Sequence, residues 1–288
     1  MKRIKILVCI LMITLLTGCD FFKRDTMENI NIITTIYPLE YALTNLYGQS
    51  SIINSIYPDD IDVDSYKLTE KQIKDNSEKD LFVYMGLTSD SDIAVKLINE
   101  NKNLKLIDAT FGMEYKQDVS ELWLNPSNLL MILQNIKNGL DEYIDNTYLK
   151  LEIDEKYKEL KLELSELDAN YKTTVENANK KTIYTNSKMA SFLEKYGLTV
   201  IVVNEENELY EKNLALLKEA IENNKVTYFF CFEDTTLPTA VKELVDGEKI
   251  KEIEFRNLKN ITDSERNNKE TYAKITEKNI ENLKKEIY

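Results

Sequence analysis

One stretch, Tyr148 to Ala178, decides much of what this chain can fold into. Ile153, Tyr157, Leu160, Leu164, Leu167, Tyr171 and Val175 recur there at three- and four-residue spacing, and no Gly or Pro interrupts them. The spacing predicts a single helix roughly 45 Å long at about 1.5 Å per residue. Before it lie four apolar, β-rich runs, Ile30–Tyr37, Ser51–Tyr57, Asp80–Gly86 and Leu104–Ala109. After it lie four more, Lys181–Thr185, Leu198–Asn204, Val226–Glu233 and Ile250–Phe255. Longer amphipathic stretches separate the runs, which is the pattern of βα units with parallel strands. The expected fold is therefore α/β: two lobes, 30–147 and 179–288, each a four-stranded, mainly parallel sheet, joined by a rigid helix over 148–178. A coiled-coil dimer is the competing use of the stripe. It ranks second because the stripe lasts only about three heptads and two lobes need something to pack on.

The N-terminus carries Lys2, Arg3 and Lys5, an apolar run from Ile6 to Leu16, and then Leu16-Thr17-Gly18-Cys19. That is the order of a secretory signal. The run has 11 residues, whereas a spanning helix needs about 20, so residues 1–18 are expected to be cleaved. Small residues directly before a cysteine resemble the lipobox of bacterial lipoproteins. The resemblance implies lipid attachment at Cys19, a tether over 19–29, and a place on the extracytoplasmic face of the cell membrane. Cys231 is then the one free thiol, and its apolar neighbours make it a small buried hydrophobe on a strand.

Three of the 37 basic residues leave with the signal, so 34 face 50 acidic ones and the formal charge becomes −16. Nucleic acid is an unsuitable partner for such a surface. The chain contains no histidine, which removes Ser-His-Asp and Cys-His catalysis and every imidazole metal site. With seven glycines it has neither a dinucleotide fingerprint nor a phosphate-binding loop. Nothing in it supports an enzyme.

Several segments together carry a family resemblance. Ile33-Thr34-Thr35-Ile36-Tyr37-Pro38-Leu39 resembles the opening strand and turn of the zinc and manganese solute-binding lipoproteins of bacterial ABC importers. Pro58 to Thr69 is similar to that family's P-P-G-x-D-P-H-S-Y-E-P-T, Asp80 to Gly86 to its next strand, and Glu121-Leu122-Trp123-Leu124-Asn125-Pro126 to its H-x-W-L-D-P. Asn186 to Leu198 resembles the stretch that begins at its third histidine, and Ile261 to Leu283 its last helix. The resemblance implies two α/β lobes with the ligand in the cleft between them. It also implies delivery of a divalent metal as cargo, with no catalytic cofactor, to a membrane permease and its ATPase by a lipid-anchored monomer.

In that family three histidines and one acidic residue hold the metal. Here the corresponding positions carry Asp64, Glu121, Asn186 and Arg256. The first three are the expected metal ligands. Each of the four follows a predicted strand, and parallel sheets bind ligands beyond the carboxyl ends of their strands. Oxygen donors suit manganese, calcium or magnesium better than zinc. Arg256 opposes any ion: a unit charge about 5 Å from a divalent cation costs on the order of 6–7 kcal/mol at an effective dielectric of about 20. It must turn away or pair with a carboxylate, and Glu233 is expected near it as an extra ligand or a salt-bridge partner. Three functions remain open: a metal-import component with oxygen ligands, a binder of an organic solute, or a ligand-free surface interaction or adhesion lipoprotein locked by an Arg256 salt bridge. For each position the plainer alternative is a solvated loop charge, or for Asn186 a helix cap.

Overall fold

The computed structural model describes residues 27–233 and 235–288. The expected signal, Cys19 and most of the tether lie outside the described residues. In chain order the first lobe runs β1 (Ile30–Thr34), α1 (Tyr37–Tyr47), β2 (Ser51–Ser55), α2 (Glu70–Ser77), β3 (Leu81–Tyr84), α3 (Asp90–Glu100), β4 (Lys105–Asp108), α4 (Glu121–Leu124) and α5 (Pro126–Tyr143). Helix α6 (Thr147–Glu176) follows. The second lobe is β5 (Thr182–Thr185), a 3-10 helix (Lys188–Tyr196), β6 (Thr199–Val202), α7 (Tyr210–Glu222), β7 (Tyr228–Phe232), α8 (Thr239–Asp246), β8 (Lys251–Phe255), α9 (Asp263–Asn267) and α10 (Tyr272–Ile287). All eight predicted strands form, each trimmed by one to three residues at its ends.

The two sheets have the same order, β2-β1-β3-β4 and β6-β5-β7-β8, and every ladder is parallel. In each, the first strand sits between the second and third, which places a topological switch point at the ends of β1 and β3 and again at those of β5 and β7. Both faces of each sheet are covered, as parallel strands require. Period-two alternation divides the side chains accordingly. Ile32, Leu81 and Val83 point to the inner core, while Ile33 and Phe82 join a separate outer cluster. In the second lobe Ile183, Phe230 and Phe232 face inward, and Tyr184, Phe229 and Cys231 outward. Cys231 is thus buried, and burial pushes its thiol pKa up.

Local sequence explains where the helices start. Asn146 caps α6 by accepting N–H bonds from Tyr148 and Leu149. Asn125 caps α5 by accepting from Ser127 N, and Pro126 occupies the first helical position, which needs no donor. The Trp-Leu-Asn-Pro motif is therefore a helix start. Along α6, Ile153, Leu160, Leu164, Leu167, Tyr171 and Val175 are all buried and Tyr157 is half-buried. They pack on α1, α5 and α10. The stripe is consumed inside the chain, which removes it as the seam of a coiled-coil dimer. The inner cores of both lobes merge with it into one cluster.

Gly139 on α5 shows how close this packing is. A Cβ there would come within 2.7 Å of Ile107 on β4. Gly139→Leu is expected to lower stability by about 1–3 kcal/mol through overpacking, read as a shift in urea midpoint without a change in slope.

Candidate functional site at the interlobe cleft

The segment after β8 closes the cleft. Residues 256–272 leave the second lobe, lie across the first, and re-enter α10. Tyr37 N donates to Lys259 O at 2.9 Å, and Asn260 Nδ2 donates to Pro58 O and Ile61 O at 3.2 and 3.1 Å. Arg266 holds two carboxylates of the first lobe, Asp59 through Nε at 2.5 Å and Glu40 through Nη1 at 2.7 Å. These bonds raise the Arg266 pKa well above its ordinary value. Trp123, buried on α4, donates from Nε1 to Asn257 O at 2.7 Å, and Tyr272 donates its hydroxyl to Trp123 O at 2.6 Å. Leu258 sits in this strap with φ +62° while being fully buried. A branched side chain in the left-handed region is costly, so the surrounding contacts hold it there.

The three residues expected to hold a metal stand in three different surroundings. Asp64 is exposed and forms an ion pair with Lys259 of the strap. Glu121 opens α4 and turns back on the preceding loop, where its carboxylate accepts N–H bonds from Lys116, Gln117 and Asp118. Asn186 is completely buried at the β5–β7 switch point. Its Nδ2 donates to Thr235 Oγ1 at 2.6 Å and to Thr236 O, and its Oδ1 accepts from Phe232 N. It is not the cap of the following 3-10 helix; Ser187 takes that role by accepting from Met189 N. Arg256 and Glu233 meet at 2.8 Å, and the other arm of Arg256 meets Glu265 at 2.9 Å. Both partners belong to the second lobe, so Arg256 does not lock the lobes together. The bonds across the cleft come from Lys259, Asn260 and Arg266 of the strap, from the contacts of Trp123 with Asn257 and Tyr272, and from the pairs Gln117–Glu194 and Lys195–Asn125.

The cleft is divided accordingly. A cavity of about 230 Å³ is bordered by Ile36, Tyr57, Asp64, Asp90, Trp123 and Lys259. A second, of about 240 Å³, lies beside Asp62, Glu233 and Arg256, and a third, of about 390 Å³, beside Glu121, Glu194 and Lys195. Among the described residues no three His, Cys, Asp or Glu side chains are grouped so as to hold a metal. A larger cavity, about 590 Å³, lies by Lys181, Thr182 and Lys225, at the amino ends of the second sheet's strands and away from the switch points. Asp90 sits at the first switch point, buried, with Oδ2 accepting from Thr35 Oγ1 at 2.6 Å and Met85 N at 3.2 Å. Desolvation raises its pKa despite those bonds. Tyr57 is raised too, by burial first and then by the nearby charges of Asp90 and Asp64.

The family described as zinc-uptake complex component A, periplasmic, matches residues 32–286 of this sequence. This chain belongs to that family. The zinc-binding lipoprotein AdcA of Streptococcus pneumoniae is 24% identical over 311 residues, a match that covers 99% of this chain and 61% of that protein. This chain thus spans under two thirds of AdcA. The manganese ABC transporter substrate-binding lipoprotein PsaA of Streptococcus mitis is 25% identical over 254 residues, covering 80% and 82% of the two chains. The fold matches the crystal structure of the Zn(II)-bound ZnuA-like domain of AdcA from Streptococcus pneumoniae with a TM-score of 0.74 at 21% identity, over 90% of this chain and 99% of that one.

Within this zinc-uptake family fold, sequence reasoning missed Lys259, Asp90 and Arg266. Their signals were faint: basic residues clustered in the loop after β8 of an acidic chain, and an aspartate just after the β3 strand end. Two outcomes follow from the geometry. Arg256→Met leaves Glu233 and Glu265, both mostly buried, without their cation, and is expected to cost on the order of 3 kcal/mol in denaturant unfolding. The raised Asp90 carboxyl means the folded state binds its proton more tightly than the unfolded state. Its contribution therefore falls as pH rises from the ordinary carboxylate range through the raised value. Asp90→Asn is expected to flatten that dependence and to melt no lower than the native chain at pH 8.

Proposed function

We propose that this chain is the extracytoplasmic solute-binding component of a metal-type ABC import system. It takes a divalent metal ion at the interlobe cavity beside Asp64 and delivers it to a membrane permease coupled to an ATPase. Cys19 carries the lipid that tethers it to the membrane, and the chain works as a monomer. The observation that carries this reading is the family match over residues 32–286. It is supported by the cavity itself, where the carboxylates of Asp64 and Asp90 and the hydroxyl of Tyr57 supply oxygen. Such donors favour manganese over zinc. AdcA is named for zinc and PsaA for manganese. Glu121 and Asn186 join the ligand set only if their present backbone and Thr235 bonds are exchanged for the ion.

One observation favours a second reading, a member whose cleft takes an organic solute or no ligand and which serves as a surface interaction lipoprotein. It is the Lys259 ammonium already paired with Asp64. Calorimetric titration of the chelator-stripped mature chain with zinc, manganese and calcium separates the two. At least one ion is expected to bind with submicromolar affinity, and Asp64→Ala to weaken it at least about tenfold. Absence of heat with all three ions would remove the metal cargo and leave the second reading.

A further inference from the structure

The least expected side chain at the cleft is Lys259, and three independent features place it there. Its ammonium pairs with Asp64 across the two lobes, and its side chain is only 15% exposed while Asp64 remains 67% exposed. Its backbone is fixed on both sides: Lys259 N donates to Asn257 Oδ1 at 2.8 Å, and Lys259 O accepts from Tyr37 N at 2.9 Å. The preceding residue, Leu258, is fully buried in the left-handed region, a conformation that persists only where its surroundings enforce it. The strap thus commits backbone strain and hydrogen bonds to aiming one cation into a cavity that Asp64 and Asp90 border.

We propose that Lys259 is a tethered cation standing where the cargo ion must enter, and that it sets which ions the cleft accepts. The inference rests on the metal-cargo reading above and adds its selectivity device. An ammonium held by the chain competes at a high effective concentration with any free ion. Lysine is a compact, strongly hydrated point charge, so it balances the carboxylates without bonding them as a metal does. An ion displaces it only by bonding oxygen more strongly than the ammonium does. Monovalent ions fail that test, and magnesium, which gives up its water reluctantly, fails it as well. A transition ion passes. Asp64 is paired with the strap before cargo arrives, so this contact between the lobes needs no metal to form.

The test compares the mature chain with Lys259→Met, which keeps the apolar stem, and Lys259→Gln, which keeps a polar head without charge. Each is titrated with manganese, zinc and magnesium. Both variants are expected to bind manganese or zinc at least about tenfold more tightly than the native chain and to gain measurable magnesium binding. Native affinity judges the cargo reading, and the ratio of variant to native judges the tethered cation. If the native chain binds no ion while the variants do, Lys259 closes the cleft to every ion, and both the proposed selectivity and the cargo reading fall. If native and variants bind alike, the cargo reading stands and the tethered cation is overturned. If none of the three proteins binds an ion, or if the variants bind more weakly, the proposal is overturned as well.

Discussion

The apolar stripe of α6, buried against α1, α5 and α10, is the contact on which the rest of the structure depends. Each fully buried Leu or Ile contributes about 1.5–3 kcal/mol relative to exposure, and the stripe supplies six buried side chains in sequence. Because α1 and α5 come from the first lobe and α10 from the second, the same stripe is a wall of both inner cores. Neither lobe has a complete inner core without it. The relative placement of the two sheets is thereby fixed by packing, and with it the distance across which the strand ends face one another.

Polar contacts then finish what packing begins. The strap after β8 buries Leu258 and Ile261 in the shared core and adds hydrogen bonds and ion pairs to the first lobe. Exposed pairs of this kind contribute at most about 1 kcal/mol each, so their importance lies in register more than in strength. Arg266 grips Asp59 and Glu40 together, which fixes where α9 sits, and Asn260 reads the carbonyls of Pro58 and Ile61. That register carries Lys259 to Asp64. Arg256, by contrast, is neutralised within its own lobe by Glu233 and Glu265. The cation that the sequence made most conspicuous is internal to one lobe, and the inconspicuous one reaches across.

The fold was legible in the sequence because its determinants are periodic. Strands announce themselves by short β-branched and aromatic runs, and α6 by an uninterrupted stripe, so the eight strands and the long helix could be placed from the residues alone. The surroundings of the cleft residues were less legible for a physical reason. Asp64, Glu121 and Asn186 were located from neighbouring motifs, but what each side chain bonds depends on loops that have no period. Glu121 turns to three backbone N–H groups only three to five residues away, and Asn186 to threonines some fifty residues on. Lys259 left only a faint trace because its meaning comes from Leu258, Asn257 and Tyr37, contacts that no spacing rule encodes.

The merged core has a mechanical consequence. A helix shared by two hydrophobic interiors cannot bend between them without opening both, and the strap is pinned in the same core by Leu258, Ile261 and Tyr272 while its polar bonds cross the cleft. Uncovering the cavity between Asp64 and Trp123 by way of the strap therefore requires breaking the Lys259, Asn260 and Arg266 bonds and withdrawing those buried side chains from the shared core, with α6 left straight. The molecule behaves like a jar with a latch, its two halves cast in one piece.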